Sequence, residues 1–353
     1  MTYHKNAISF GPTKIAIIGP SFFGYLETLE TGFRDRGINT HFFDERWSNT
    51  VASKIVSRFF PKFFYRRKID EHQKEIFDKI IAHKTTHVLV ISAESFPVAL
   101  LAILKEKGIK IVSYSFDSFA NKPHMRKVAE ISESAASFDP VDCKDTNLSY
   151  IPLYSNLDHE AKNTPIDQRS IDFLYFGTLH SNRPFWVSRA KTICTANNWN
   201  DQFFLYFHSK ILWYLRFILQ PTVWTLGREL STKHFPSHQL YDATANSKVV
   251  IDIHHPKQTG LTMRVFEAIS GGSVIISTNP NIETALPSKI ARERVRSFDK
   301  ENLKKTMQEA LTMTPPPLLP DEIHYLSAQR YIDQLCELLL QPSDDEFPKD
   351  LEL

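Results

Sequence analysis

The chain has 353 residues, 42% of them hydrophobic and 23% charged; this is a soluble globular composition, and the length suits two domains of about 150 residues better than one core. The formal net charge of +2 gives no support to generic nucleic-acid binding. Cys143, Cys194 and Cys336 are far apart, without the paired spacing of a zinc site and odd in number for disulfides, so a reducing compartment is expected. The opening MTYHKNAISFGPTK lacks the basic-then-apolar design of a signal peptide, and the expected location is the cytoplasm.

In chain order, a short β-rich run at 14–18 closes in the turn Gly19-Pro20-Ser21. Helical spacing of Phe22, Leu26, Leu29 and Phe33 then runs to Gly37. A strand is predicted over 39–43, a helix over 70–83, a strand buried on both faces over 87–92 (HVLVIS), a helix over 98–107 and another buried strand over 110–115 (KIVSYS). Strands alternating with helices imply parallel pairing through right-handed crossovers. A polar stretch spans 150–170, and the pattern restarts at 171–177 with IDFLYFG, a strand that ends in glycine as the first one does. Strands over 248–253 and 274–277 alternate with helices over 263–270 and 300–313; Pro315-Pro316-Pro317 ends the last of these. A long terminal helix over 321–340 precedes an acidic tail. The expected organisation is α/β, with domains at 1–160 and 161–320 and a terminal segment at 321–353 that has the option of crossing back to the first domain.

The most informative stretch is VVIDIHHPKQTGLTMRVFEAISGG, residues 249–272. Gly260 permits close backbone approach, and Thr262 stands where it would cap a helix beginning at Met263. Exposed N–H groups at that helix start, with the helix dipole, favour an anion such as a diphosphate. Arg264 and Lys257 supply cations, Thr259 a hydroxyl, and Glu267 a carboxylate one turn on that suits sugar or ribose hydroxyls. FGTLHSNRP, residues 176–184, repeats the design with Gly177, His180 and Arg183. A capped strand–turn–helix with solvated charges accounts for either loop alone; two such loops in one domain suit the two ends of a diphosphate.

GLTMRVFEAISGG, residues 260–272, resembles the donor-site motif of GT-B glycosyltransferases, nearest to the CgeB-like and capsular or lipopolysaccharide biosynthesis branch. Residues 177–183 resemble the glycine-to-basic loop of the same enzymes, in which the basic residue holds the donor phosphate. YSFDSFANKPH (114–124) and SFDPVDCKD (137–145) resemble further segments of that branch. Two positions depart from the wider pattern: Thr259 stands where a glutamate is usual, and Thr178 where an arginine is. The resemblance implies two Rossmann-like domains with parallel sheets facing across a cleft, a nucleotide-sugar donor in the second, and a glycan or polyprenyl-linked acceptor in the first. It also implies transfer without a metal or other cofactor, and no Asp-x-Asp pair stands at a strand end to argue otherwise.

On the acceptor side, Ser21 and Tyr25 follow the first strand, in a loop whose glycine spacing is not that of a dinucleotide fingerprint. Glu94 and Asp117 each follow a buried strand. Asp117 is the preferred catalytic base; a turn or cap aspartate is the alternative. Adjacent His254 and His255 on extended backbone point oppositely, so no metal is assigned. Two aromatic and basic stretches, 54–68 and 203–226, fit an interfacial membrane contact, with a buried core helix as the alternative for the second. The rival functions are a nucleotide-sugar 2-epimerase of the same architecture and a non-catalytic sugar-nucleotide or glycan binder.

Overall fold

The computed structural model describes residues 13–21, 25–48, 66–157, 164–179, 181–207, 226, 230–233 and 235–340, with only the backbone of residues 25–27. The contact pattern divides the chain into two units, one running to Pro152 and resuming at Tyr331, the other Leu153–Arg330.

In the first unit six strands, β1 (Lys14–Gly19), β2 (Asn39–Asp44), β3 (His87–Ile91), β4 (Lys110–Ser115), β5 (Ser134–Ser137) and β6 (Ser149–Tyr150), form a parallel sheet in the order β2-β1-β3-β4-β5-β6. The crossovers carry α1 (Tyr25–Asp35), α2 (Arg66–Ala82), α3 (Val98–Glu106), α4 (Pro123–Ile131) and α5 (Pro140–Thr146). Because helices cover both faces, β1, β3 and β4 are almost continuously buried, the pattern expected of parallel strands. Ala16, Ile18, Val88, Val90 and Ile111 pack with Leu101, Leu104 and Val128 from α3 and α4. Gly37, at φ +73°, turns the chain out of α1. Helix α2 begins four residues before the predicted 70, its first turn supported by the Arg66–Asp70 and Arg67–Glu71 pairs at i,i+4.

The second unit holds β7 (Ile171–Thr178), β8 (Asp201–Tyr206), β9 (Leu230–Ser231), β10 (Ser247–Asp252), β11 (Val274–Ser277) and β12 (Val295–Ser297), in the order β12-β11-β10-β7-β8-β9. Counted within the unit this is 3-2-1-4-5-6 read from β9, the dinucleotide-fold order, with its reversal between β7 and β10. Its helices are α6 (Arg183–Asn197), α7 (Ser237–Ala245), α8 (Met263–Ser270), α9 (Ser288–Arg294), α10 (Leu303–Thr312) and α11 (Pro320–Leu326). Phe173, Tyr175, Leu205, Val249, Ile251, Val274 and Ile276 pack against Val187 and Ala190 of α6 and Met307 and Ala310 of α10.

The long terminal helix predicted over 321–340 is two helices, α11 and α12 (Ala328–Leu340), broken at Ser327. Ser327 is extended (φ −78°, ψ 153°) and bridges Ser155, whose N–H donates to Leu326 O. Beyond the break, Tyr331 stacks edge-on against Tyr114 (5.4 Å, 70°), Asp333 pairs with Arg36, and Ile332 lies where a Cβ on Gly32 would collide. The last helix is therefore part of the first unit.

The apolar stretch 203–226 also divides. Its first four residues belong to β8, with Phe203, Phe204 and Leu205 buried, so that part is a core strand and not an interfacial helix. Residues 208–225 and 54–65 lie outside the described residues. No described helix is long and apolar enough to cross a membrane.

Candidate functional site

The strand order of the second sheet reverses between β7 and β10, and in open α/β sheets ligands bind outside the carboxyl ends of the strands at such a point. There β10 ends in Asp252, 1% exposed. Its Oδ1 accepts from Thr262 Oγ1 (3.0 Å) and Arg264 Nη1 (2.8 Å), and its Oδ2 from Ser277 Oγ at the end of β11 (2.7 Å). Arg264, the second residue of α8, reaches back over the end of β7, where Nη2 donates to Phe176 O. Its guanidinium lies 4.8 Å from the Phe176 ring centre and 5.4 Å from that of Tyr175. Gly177 is required here: a Cβ would stand 2.9 Å from Arg264 Nη2, and φ is +155°. Arg183 opens α6 and donates from Nε to Ile253 O and from Nη1 to Thr178 O, 3.2 Å each. The structure thus gathers Gly177, Arg183, Thr262 and Arg264 around one buried carboxylate.

Thr262 occupies the N-cap position of α8, but its side chain makes no cap; the hydroxyl is turned to Asp252. The first turn of the helix is left without a side-chain acceptor, and such N–H groups receive anions. Two buried polar atoms beside it, Arg264 Nε and Tyr175 Oη, have no hydrogen-bond partner. Burial lowers the Arg183 pKa below the usual guanidinium range, with Arg264 adding repulsion and Tyr175 and Asp252 opposing it. Burial raises the Tyr175 phenol. Two arginines against one aspartate, together with the helix dipole, make a site of net positive potential.

One turn further along α8, the Glu267 carboxyl accepts no hydrogen bond from a described residue, and burial pushes its pKa up to about 7, with Arg264 pulling the other way. Tyr241 of α7 faces it; burial first, and Glu267 second, raise that phenol to about 12, while Asn156 hydrogen-bonds to it. The preceding loop is anchored by Asn279, 1% exposed, whose Nδ2 donates to Thr259 O (3.0 Å) and Gly260 O (3.4 Å). Lys257 is exposed in that loop, and its N–H donates to His255 Nδ1 (3.3 Å). His254 shares a 2.8 Å bond between Nδ1 and Thr278 Oγ1, and burial lowers its pKa. His180 lies outside the described residues. Sequence reasoning passed over Asp252, Tyr175 and Asn279; an ionisable residue closing the run VVID was the available signal.

In the first unit, Asp117 follows β4, half-buried, with Oδ1 accepting from Asn121 Nδ2 (3.2 Å). Glu94 is exposed after β3 and pairs with Lys122. Ser21 meets its neighbours through its backbone, N–H to Asp44 Oδ2 (3.4 Å) and O from Arg46 Nη2 (2.6 Å). Tyr25 opens α1. The loop bearing Glu94 is held by Glu45, 3% exposed, whose carboxylate accepts from the N–H groups of Glu94, Ser95 and Phe96. Asp142 accepts from Phe119 N–H (2.8 Å) and Ser137 Oγ (3.2 Å), and burial raises its pKa to about 6.

No family profile and no curated protein sequence matches the chain. Solved structures do. The lipopolysaccharide outer core galactosyltransferase WaaB in its apo form aligns at TM-score 0.57 and 14% identity, over 92% of this chain and 99% of that one. The OtsA apo structure aligns at 0.60 and 10%, covering 94% and 100%. UDP-GlcNAc 2-epimerase from Methanocaldococcus jannaschii, in complex with UDP-GlcNAc and UDP, aligns at 0.52 and 10%, covering 92% and 100%. With the two parallel six-stranded sheets, these likenesses establish a GT-B fold built from two Rossmann-like domains.

Two outcomes follow from this geometry. Asp252→Ala strands Arg264 as a buried unpaired cation, so urea unfolding is expected to lose about 3–5 kcal/mol; a loss under 1 kcal/mol contradicts the central role of the pair. Folded Glu267 holds its proton to about pH 7 and the unfolded one releases it near 4.5. Over that window the folded state binds more protons, and stability falls as pH rises. Glu267→Gln removes this term, so its melting temperature should gain on wild type between pH 5 and 8; a difference constant with pH contradicts the assignment.

Proposed function

We propose that this chain is a glycosyltransferase that moves a sugar from a nucleotide-activated donor to a glycan or glycolipid acceptor in the assembly of bacterial surface polysaccharide, capsule or lipopolysaccharide. The observation that carries this reading is the uncapped start of α8, flanked by Arg264 with its buried, unpartnered Nε, at the strand-order reversal of the second domain. As a glycosidic phosphate bond breaks, negative charge accumulates on the departing diphosphate. Fixed N–H groups, Arg264 and Arg183 stabilise that charge without reorganising, so the reading assigns the task to the chain itself and not to a metal ion. Lys257 and the Thr259–Gly260 backbone border the same end of the helix, and His180, outside the described residues, is assigned to the same donor. Glu267, an unsatisfied carboxyl one turn in, receives ribose or sugar hydroxyls.

For the acceptor half, Asp117 is assigned as the base that takes the proton of the attacking hydroxyl, with Asn121 holding one carboxyl oxygen. Ser21, Tyr25 and Glu94 are assigned to acceptor contacts. Motif resemblance to the CgeB-like and capsular branch, and the presence of a lipopolysaccharide galactosyltransferase among proteins of the same fold, support the surface-glycan setting. A polyprenyl-linked acceptor would place the enzyme in the cytoplasm at the inner face of the cytoplasmic membrane, contacting it through 54–68 and the part of 203–226 that follows β8.

A second reading, a nucleotide-sugar 2-epimerase, is favoured by one observation: an epimerase in complex with UDP-GlcNAc and UDP has this fold too. It needs the same donor grip and no acceptor.

The test is ligand-induced thermal stabilisation against a panel of nucleoside diphosphates and nucleotide sugars, wild type beside Arg264→Ala. A ligand at about 100 times its Kd adds about 2.7 kcal/mol. A selective rise in melting temperature, lost in the variant, is expected. No rise with any nucleotide, in protein shown to be folded, contradicts the donor site. Consumption of the identified sugar nucleotide only when a glycan acceptor is added separates transferase from epimerase.

A further inference from the structure

The amino-terminal edge of the second sheet carries an unusual concentration of buried positive charge. Arg169 precedes β7 and is 6% exposed; Arg294 precedes β12 and is 2% exposed. Arg169 donates from Nε to Thr164 O (3.0 Å) and from Nη1 to Ser247 O (2.9 Å) and Ser273 Oγ (3.1 Å). Its Nη2 donates to no described residue, although it lies so close to Gly272 that a Cβ there would stand 2.7 Å away. Arg294 donates from Nη2 to Pro316 O, while its Nε is buried without a partner.

The register brings the two together. Ile275 pairs with Val295 in the parallel β11–β12 ladder, which sets Arg294 beside Val274, the neighbour of the Ser273 that Arg169 bonds. Adjacent strands are about 4.8 Å apart. Consistently, burial lowers the Arg169 pKa to about 10 and repulsion from Arg294 adds to it.

Counter-charge from described residues is partial and reaches only Arg294. Neither guanidinium forms an ion pair with a described residue. Glu322, whose field reaches Arg294, has its oxygens committed to Lys289 Nζ (3.4 Å) and to Leu319 N–H (2.7 Å). Glu293 adds a weaker attraction from the adjacent position on α9. Two like charges removed from water without a directly paired counter-charge are unfavourable, and unmatched N–H groups of guanidinium fit an oxyanion in fork geometry.

We propose that Arg169 and Arg294 form a binding site for a small phosphate-class oxyanion at the amino-terminal edge of the second sheet. The near-complete burial of both side chains restricts the ligand to something the size of inorganic phosphate or sulfate, or a phosphate group presented on a slender stem. The site is distinct from the one at the carboxyl edge: Ser247 and Asp252 stand at opposite ends of β10, about 17 Å apart at the usual rise per residue. It does not depend on the donor reading, since bound anion here neutralises the scaffold whatever the carboxyl edge holds.

The experiment is thermal unfolding in increasing inorganic phosphate, against chloride at matched ionic strength, for wild type, Arg264→Ala, Arg169→Gln and Arg294→Gln. The expected result is a saturating rise in melting temperature in wild type and in Arg264→Ala, absent in the other two. Absence of a phosphate-specific rise in wild type overturns the proposal, as does a rise lost in Arg264→Ala but kept in Arg294→Gln. If a glutamine variant does not fold, wild-type crystals soaked in selenate decide: anomalous density between Arg169 and Arg294 is expected, and its absence there overturns the site.

Discussion

The contact on which the carboxyl edge of the second domain's sheet depends is the ion pair between Asp252 and Arg264, 2.8 Å long, with side chains 1% and 10% exposed. A buried aspartate alone would be protonated or expelled; a buried arginine alone would be more unfavourable still. Together they fix three things. Thr262 is drawn to Asp252 and away from capping α8, Ser277 ties β11 to the same carboxylate, and the guanidinium is held over the Phe176 ring and beside a glycine that leaves room for it. Cation, uncapped helix start and strand ends thus take up fixed positions in the protein itself, the preorganisation that the proposed phosphate grip requires.

The first domain follows a parallel logic with the opposite sign. Glu45, at the end of β2, accepts three successive backbone N–H groups from the loop after β3, so this carboxylate shapes a loop and is not available for chemistry. Asp117 has one oxygen engaged by Asn121 and is less buried than Glu45 or Asp142. Asp117 bonds within its own turn, to Asn121, and its proposed role as base rests on its place directly after β4.

Much of the fold was legible because parallel strands covered on both faces write themselves as apolar runs: KIAIIG, HVLVI and VVID each became a strand near the predicted limits. Ser134–Ser137 was not legible, since SAAS carries no apolar run and its burial comes entirely from its neighbours. The break at Ser327 was hidden for the same reason: amphipathic spacing continues through it, and only the bridge to Ser155, distant in sequence, forces the extended residue. At the site, sequence spacing identified the loops and their cations. It did not reveal that Thr262 turns inward, because the partner that draws it, Asp252, lies ten residues earlier in a strand read only for its hydrophobicity. Contacts made across strand ends are invisible to local pattern.

The most direct test of the account is a structure of the protein with the nucleoside diphosphate that stabilises it most. The account predicts the diphosphate against the first turn of α8, within hydrogen-bond distance of an Arg264 guanidinium still paired with Asp252, and hydroxyl groups of the ligand at Glu267. A nucleotide seated elsewhere, with the start of α8 empty and Arg264 untouched, would contradict it.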